Sequence, residues 1–335
     1  MAAEPEFVHP RYELCEPLGS GGMGAVYRAL DRELGREIAI KIMHAGEAAQ
    51  AGESEAAGRT RREAQIIARL EHPGIVPVHD VGRLIDGRVY YVMKLVRGAR
   101  LDQSAVMQAA LTERLRVFER LCETIAFAHA HGVLHRDLKP QNVMIGSFGE
   151  VLVLDWGIAR WHGAPEFEAS PGPPPNEASL RDTATRRTAA GVVLGTPAYM
   201  APEQARGELD RVDERSDVFG LGAILHFLLT SAAPRQSPGA AAALSPRQRD
   251  RRISKRLDAI CSKALHPDPA GRYASAGALA ADIARFRDGQ PVLAYREPWW
   301  ERSARWCRRY SLPLLLVLAY LLMRGVLELF WPREG

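Results

Sequence analysis

The sequence has few cysteines and no strong excess of charge, and both features narrow the classes of protein to which the chain can belong. Its 335 residues include 4 cysteines, at widely separated positions that match neither a disulfide framework nor a metal cluster. We therefore expect reduced thiols in a cytosolic protein. The net charge of +4, without a basic stripe that carries interleaved aromatic residues, argues against a nucleic-acid partner.

The N-terminus lacks the features of a signal peptide, and the chain shows no internal repeat. The opening residues MAAEPEFVHP contain no basic region followed by an apolar stretch, so we expect no cleaved signal peptide. The composition, 47% hydrophobic and 25% charged, is that of a globular protein, and the length allows two domains.

A long apolar run, SLPLLLVLAYLLM, lies near the C-terminus and continues past Arg324 as GVLELFW. Residues 311–331 reach the roughly 20 residues that a bilayer requires, and arginines alternate with aromatic residues between Trp299 and Tyr310. This pattern predicts a single transmembrane helix over 311–331 in the inner cell membrane. A basic segment over 290–310 would precede it, with the rest of the chain on the cytoplasmic side. The alternative is an interfacial amphipathic helix on a peripheral or cytoplasmic protein.

The remaining chain divides into a small β-rich part and a larger helical part. Short β-branched runs fill residues 11–97 around one helical stretch, RTRREAQIIARLEH, whereas the patterns over 98–289 are helical. A polar, proline-rich stretch between Arg160 and Gly195 is too long for a tight connection, so we predict a mobile loop there.

The run VLVLDWGIAR raises a question of charge. Its four leading apolar residues predict a buried strand, yet Asp155, whose carboxylate is costly to desolvate, follows directly. Asp155 either opens a turn toward Gly157 or holds a metal ion at the end of a strand. The local sequence leaves both interpretations open.

Three glycines in GSGGMGAV have a spacing typical of phosphate-binding loops. Gly19, Gly21 and Gly24 form the pattern G-x-G-x-x-G, in which missing side chains let backbone N–H groups approach phosphate oxygens. Such glycines also mark ordinary turns, and dinucleotide-binding units share the spacing. A strand rather than a helix follows them here, which disfavours the dinucleotide alternative.

Lys41, at the end of IAIK, is either an exposed strand residue or a cation that holds a phosphate. The second role requires a carboxylate partner. Glu63 on the predicted helix is the candidate, and Ile67, four residues later on the same face, would orient it by packing.

The stretch HRDLKPQN brings a carboxylate, an ammonium and an amide close together, at Asp137, Lys139 and Asn142. A turn would hold all three around one phosphate and its metal. Asp155, Trp156 and GTPAYMAPE follow downstream, so chance is no longer a serious explanation. Together with the glycines and Lys41, these motifs resemble those of a eukaryotic-type serine/threonine protein kinase of the kind also found in bacteria, over roughly residues 11–289.

The resemblance implies an α+β bilobal kinase fold, with a β-rich N-lobe over 11–97 and a helical C-lobe over 98–289 that contains an activation segment over 155–203. It implies a non-specific serine/threonine protein kinase that transfers the ATP γ-phosphate to proteins, itself included, in signal transduction. The expected cofactors are ATP and Mg²⁺, with Mn²⁺ as a substitute. The expected partners are protein substrates with Ser or Thr, the membrane, and a second copy of the chain for trans-autophosphorylation.

The resemblance also assigns roles to residues. Asp137 would be the catalytic base, Lys139 would neutralise charge on the transferred phosphoryl group, and Asn142 and Asp155 would hold Mg²⁺. Lys41 would pair with Glu63 and with the α/β-phosphates. The other ATP-binding positions share the glycine-rich loop, the neighbouring strands and the hinge: Leu18, Gly19, Ser20, Gly21, Gly22, Met23, Gly24, Val26, Ala39, Met93, Leu95 and Val96.

Structural roles follow in the same way. Asp217 would brace the backbone of the catalytic loop, and Glu203 would pair with Arg272. Thr196 would, with Lys139, shape a shallow site that favours serine and threonine over tyrosine.

Two positions depart from the family pattern. Trp156 stands where phenylalanine is usual, and we expect it to pack toward His135 and Ile67, with a partner for its indole N–H. It would affect switching between active and inactive states but not the chemistry. Lys94 stands in the hinge beside Met93, where adenine binds backbone groups whatever the side chain; Met93 is alternatively an ordinary core residue.

Arg136, directly before Asp137, suggests regulation. In kinases with this arginine, a phosphothreonine of the activation loop pairs with it and orders the loop. The candidates are Thr183, Thr185 and Thr188, which have arginines nearby; the alternative is that they are ordinary loop residues.

Other functions fit parts of the pattern. A scaffolding pseudokinase would normally lack Lys41, Asp137 or Asp155, all of which are present, and phosphate transfer from ATP distinguishes it. A small-molecule kinase of related fold would lack the GTPAYMAPE segment. A receptor is disfavoured because only PREG follows Trp331, so we expect no extracellular sensor domain on this chain.

Overall fold

Two separate hydrophobic clusters divide the folded chain into two lobes. The structure, a computed structural model, describes residues 9–21, 24–43, 70–156, 160–161, 198–234, 244–299, 303 and 311–330. Within these residues a β-sheet lobe precedes a helical lobe, which confirms the predicted bilobal α+β architecture.

An antiparallel five-stranded sheet forms the described N-lobe. Its strands are β1 (Tyr12–Gly21), β2 (Gly24–Asp31), β3 (Arg36–Met43), β4 (Val78–Arg83) and β5 (Val89–Lys94), in the order β1-β2-β3-β5-β4. Ile38, Ile40 and Ile42 on the central β3 are buried in the N-lobe cluster. Because side chains alternate along a strand, Ala39 and Lys41 point to the opposite face.

Six helices build the described C-lobe: α1 (Leu111–Ala130), α2 (Pro202–Ala205), α3 (Glu214–Thr230), α4 (Pro246–Arg249), α5 (Lys255–Ala264) and α6 (Ala276–Arg287). The helix α3 is buried along most of its length and lies at the centre of the lobe. Two of its glycines permit close packing, since a Cβ at Gly222 would lie 2.7 Å from that of Ala264, and one at Gly220 would lie 2.8 Å from that of Leu138.

Five short strands lie around residues 135–142, the HRDLKPQN stretch. They are β6 (Gly98–Arg100), β7 (Val133–Leu134), β8 (Val143–Gly146), β9 (Val151–Val153) and β10 (Arg160–Trp161). The strands β6, β8 and β9 form one sheet, and β7 pairs with β10. The HRDLKPQN stretch therefore runs between β7 and β8 and ends in a 3₁₀ turn over Pro140–Asn142.

Residues Ser311–Phe330 form a helix, α7, where the apolar run predicts one. The transmembrane span predicted over 311–331 is not shown: none of the helices among the described residues is long and apolar enough to cross a membrane. Arg324 and Glu328 interrupt the run, and its uninterrupted part is shorter than the roughly 20 residues that a bilayer needs.

Candidate active site

One buried carboxylate holds the loop between β7 and β8. Asp217 on α3 accepts the backbone N–H groups of His135 and Arg136, both at 2.8 Å. His129 Nε2 also bonds to this carboxylate, at 2.8 Å. Burial tends to raise the pKa of Asp217, but the hydrogen bond and charge of His129, together with His135, outweigh burial and lower it. An ionised side chain therefore fixes the loop from inside the C-lobe.

The backbone is strained at two positions of the site. Arg136 has a φ of 67° and Asp155 a φ of 58°, in the left-handed region that non-glycine residues rarely adopt. At Arg136 the strain is held from both sides, because its N–H donates to Asp217 and its carbonyl accepts Gln204 Nε2 at 2.9 Å. Gln204 was not singled out from the sequence; its spacing from Ala201, whose N–H it also binds, was the available signal.

Asp137, Lys139 and Asn142 converge as the spacing of HRDLKPQN predicts. Lys139 Nζ lies 2.7 Å from Asp137 Oδ2, and Asn142 Nδ2 donates to the same oxygen at 3.1 Å. The amide nitrogen of Asn142 also donates to the Asp137 carbonyl at 2.8 Å. The carbonyl oxygen is therefore the atom of the Asn142 amide that is suited to ligate a cation.

His135 connects this loop to the end of β9. Its Nδ1 accepts the backbone N–H of Asp137 at 3.2 Å, so the ring proton lies on Nε2, which donates to the Leu154 carbonyl at 3.0 Å. Leu154 N–H in turn donates to the Asn142 carbonyl at 2.8 Å. These bonds fix the position of Asp155 relative to Asp137.

Trp156 packs against His135, the one of its two predicted neighbours that lies among the described residues. The side chain is buried, and the centres of its ring and the His135 ring are 4.7 Å apart. Its indole N–H donates to the Val153 carbonyl at 3.2 Å, which supplies the expected partner. Ile67, the other expected neighbour, lies outside the described residues.

Lys41 and Asp155 form an ion pair across the two lobes, 2.5 Å apart. Burial tends to lower the pKa of Lys41, but the charges and hydrogen bonds of Tyr91 and Asp155 outweigh burial, so the pKa of Lys41 is raised. For Asp155, burial tends to raise the pKa, but the charge of Lys41 and its hydrogen bond outweigh burial, so the pKa lies below its ordinary value. The carboxylate that follows the buried strand is therefore compensated by an ammonium within the protein.

The glycine-rich stretch forms the β1–β2 hairpin. Gly21 pairs with Gly24, and Gly19 pairs with Val26. A Cβ at Gly24 would lie 2.3 Å from the Ile42 carbonyl oxygen, whereas a Cβ at Gly19 would meet nothing within 4 Å. Sheet packing therefore requires the glycine at position 24 and not the one at 19. The flanking Leu18 is half exposed, at 50%.

The positions predicted to contact adenine lie on β3, β5 and the segment after β5. Met93 pairs with Ala39 and is partly buried, so it is not a fully enclosed core residue. Leu95 and Val96 are partly buried, and Lys94 is exposed.

A buried ion pair fixes the segment around α2 to the C-lobe. Arg272 donates to both carboxylate oxygens of Glu203, at 2.7 and 2.8 Å, and both side chains are fully buried. Ser216 Oγ donates to Glu203 at 2.7 Å, and Arg272 donates to the carbonyls of His266 and Arg215, both at 2.8 Å. Attraction and hydrogen bonds lower the pKa of Glu203 although burial opposes this.

Several predicted positions lie outside the described residues: Gly22, Met23, Glu63, Thr183, Thr185, Thr188 and Thr196. The Lys41–Glu63 pair and the activation-loop threonines therefore stay predictions. In the described part of the chain, no three His, Cys, Asp or Glu side chains converge as a metal site. Mg²⁺ is commonly held by one or two protein groups together with substrate phosphates, and Asp155 and Asn142 would form such a pair.

Comparison with known proteins places these motifs in one family. The family described as "Protein kinase domain" matches residues 12–283. "Serine/threonine-protein kinase PknB" of Mycolicibacterium smegmatis is 37% identical over 300 residues, which cover 85% of this chain and 44% of that protein. "Probable serine/threonine-protein kinase SCO3848" of Streptomyces coelicolor is 38% identical over 305 residues, 87% of this chain and 42% of that one. This chain thus spans less than half the length of these relatives.

A solved structure shows the same fold. The PknI kinase domain of Mycobacterium tuberculosis is 26% identical and superposes with a TM-score of 0.62, covering 85% of this chain and 99% of that domain.

Proposed function

This chain belongs to the protein kinase family, among the serine/threonine kinases of the bacterial kind, and we propose that it transfers the γ-phosphate of ATP to serine and threonine hydroxyls of proteins, itself included. The observation that carries the proposal is the convergence of Asp137, Lys139 and Asn142 beside the Lys41–Asp155 ion pair. Carboxylate, ammonium and amide groups of this kind position a phosphate and an attacking hydroxyl.

In this mechanism Asp137 accepts the proton of the substrate hydroxyl as the oxygen attacks. Lys139, 2.7 Å from that carboxylate, offsets negative charge on the transferred group. Lys41 binds the phosphates of ATP and is held in the cleft by Asp155. The backbone of the loop moves little, because Asp217, His135 and Gln204 hold it by hydrogen bonds.

Mg²⁺ fits the residues at this site. The carboxylate of Asp155 and the amide oxygen of Asn142 are hard oxygen donors, and Asn142 Nδ2 is already engaged with Asp137. When bound, the ion would neutralise phosphate charge; Mn²⁺ has similar ligand preferences.

The test is the substitution Asp137→Asn in the full chain. We expect ATP-dependent autophosphorylation, followed by intact mass and by ³²P transfer, to fall by at least about 10²-fold. Asp86→Asn makes the same change in an exposed turn of the N-lobe and should keep the wild-type rate. Wild-type activity in Asp137→Asn would refute the assignment, and an inactive wild type would favour a scaffolding pseudokinase.

Phosphorylation of the activation segment is proposed as the regulatory step. The support is Arg136, whose backbone is clamped by Asp217 and Gln204 next to the catalytic carboxylate, together with the arginines that flank the loop threonines in the sequence. Mass spectrometry of active protein should find phosphate between residues 181 and 195. Fully active protein without phosphate there would exclude this mechanism.

Attachment of α7 to a membrane surface, with the kinase lobes on the cytoplasmic side, is proposed as the location. The support is a cluster of exposed apolar side chains on α7, at Leu315, Leu316, Val317, Tyr320, Leu321, Leu322 and Met323. Carbonate should release such an interfacial helix from membranes, whereas protein that stays in the soluble fraction from the start would contradict the attachment.

A further inference from the structure

One short segment of the C-lobe is more basic than the chain as a whole. Residues 246–256, PRQRDRRISKR, contain six arginine or lysine side chains and one aspartate, while the whole chain has a net charge of +4. The charge of this segment alone exceeds that of the chain, so the remainder is slightly acidic. A concentration of charge of this kind indicates an anionic partner.

Four cations of this segment are exposed, and we call three of them, Arg249, Arg251 and Arg252, the basic edge; the fourth is Lys255. Among the described residues, none of the three basic-edge arginines forms an ion pair with a carboxylate. Arg249 donates to the neutral Ala233 carbonyl at 3.0 Å, so its charge is not compensated there. Asp250 is the one opposing charge in this stretch, and its carboxylate accepts the Arg252 backbone N–H at 2.8 Å.

The chain that follows α6 is packed against the same lobe instead of extending away from it. Residues 289–297, here called the strap, return over the buried carboxylate of Asp282. This carboxylate accepts the backbone N–H groups of Leu293 and Ala294, at 2.6 and 3.0 Å, and the Tyr273 hydroxyl at 2.8 Å. Val292 of the strap is buried in the C-lobe core.

Arg256 joins the strap to the basic edge. Its Nε lies 3.3 Å from a carboxylate oxygen of Glu297, and its guanidinium also donates to the Gln290 carbonyl. Arg252 and Arg256 are four positions apart in the sequence, a reach of at most about 14 Å. The basic edge therefore lies beside the point where the chain leaves the C-lobe toward the arginines of 302–309 and α7.

We propose that the basic edge is a second membrane contact, which binds anionic lipid headgroups and orients the C-lobe on the surface to which α7 attaches. The inference rests on the proposed attachment of α7. Because the strap is bonded to the lobe, attachment of α7 would hold the basic edge near the lipid at a high effective concentration. Each cation close to an anionic leaflet strengthens binding about fivefold, so three of them contribute up to about 100-fold.

The test measures flotation of the full chain with two kinds of vesicle, phosphatidylcholine alone and phosphatidylcholine with about one-third phosphatidylglycerol. The variant is Arg249→Gln/Arg251→Gln/Arg252→Gln. The matched control, Arg32→Gln/Arg83→Gln/Arg116→Gln, removes the same charge from exposed positions elsewhere. ATP-dependent autophosphorylation is measured on the same samples.

We expect all three proteins to bind neutral vesicles equally, since that binding reports α7. Wild type and control should prefer anionic vesicles, the variant should lose up to about 100-fold of that preference, and high salt should remove the difference. A variant with the wild-type preference overturns the proposal. The proposal is also overturned if the variant keeps its preference for anionic vesicles but no longer phosphorylates acidic peptides. That result would mean that the basic edge binds an acidic protein segment. Failure of neutral binding or of autophosphorylation instead refutes the attachment of α7 or the kinase activity.

Discussion

Substitution of Trp156 tests how packing behind Asp155 controls the loop that carries Asp137. Trp156→Phe removes the indole N–H that donates to Val153 and some buried ring area. The lost hydrogen bond alone contributes about 0.5–1.5 kcal/mol, and the smaller ring adds a similar amount. Trp156→Ala leaves a cavity in the C-lobe core and should lower the free energy of unfolding by about 3–5 kcal/mol.

The two variants should differ more in activity than in stability. A phenylalanine ring still supports His135, which binds both Asp137 N–H and the Leu154 carbonyl, so kcat should stay within a few-fold of wild type. The alanine variant frees the His135 ring, and with it the register between Asp137 and Asp155, so most activity should be lost.

The assay combines urea unfolding with phosphorylation kinetics, at a temperature where all variants are folded. Wild-type kcat/KM in Trp156→Ala would refute the packing argument. An equal loss in both variants would show that the indole N–H, and not ring volume, is what the site requires.

Two further predictions concern stability and ATP binding. Arg272→Ala should lower the free energy of unfolding by about 3–5 kcal/mol, because the buried Glu203 carboxylate loses its cation, although it keeps the hydrogen bond from the Ser216 side chain; a loss below about 1 kcal/mol in urea unfolding would contradict this. Gly24→Ala should destabilise the N-lobe, since its Cβ would meet the Ile42 carbonyl, whereas Gly19→Ala should leave the melting temperature unchanged and raise KM for ATP. Equal melting temperatures for both alanine variants would argue against the packing distinction.

Local spacing predicted those parts of the site that lie within one turn of chain. Asp137, Lys139 and Asn142 meet because a single loop carries them, and the alternation of Ile38, Ile40 and Ile42 was sufficient to identify β3. The helical patterns over 98–289 also predicted the helical lobe in which α1, α3 and α6 lie.

Contacts between residues that are far apart in the sequence could not be predicted from the spacing of neighbouring residues. Lys41 and Asp155 are 114 residues apart in sequence, and without the fold the sequence offers no reason to pair them. Gln204 and Arg136 are 68 residues apart, and a bond to a backbone carbonyl gives no indication in the sequence of which carbonyl is bound. The prediction of a span over 311–331 depends on total apolar length and gives less weight to the interruption at Arg324.

Asp217 provides a test of the loop itself. Its carboxylate accepts three N–H groups, from His129, His135 and Arg136, each at 2.8 Å. Asp217→Asn has one acceptor oxygen and turns an NH₂ group toward donors, so at least one buried N–H loses its partner. This should lower the free energy of unfolding by about 1–3 kcal/mol and lower kcat, because the strained Arg136 backbone is released.

The pH dependence of this loss of unfolding free energy distinguishes a contribution of the ionised Asp217 carboxylate from a contribution of side-chain packing alone. The folded pKa of Asp217 lies below its ordinary value of 3.8, since the bonds from His129 and His135 outweigh burial. The ionised form therefore stabilises the fold above about pH 4, and this contribution disappears as the pH falls through the lower folded pKa. The difference between wild type and Asp217→Asn should stay constant from neutral pH to about pH 4 and shrink only below it. Asp213→Asn, at the cap of the same helix, should change little, because asparagine caps as well as aspartate. A difference that shrinks near neutral pH would mean that the histidines, and not the carboxylate, hold the loop.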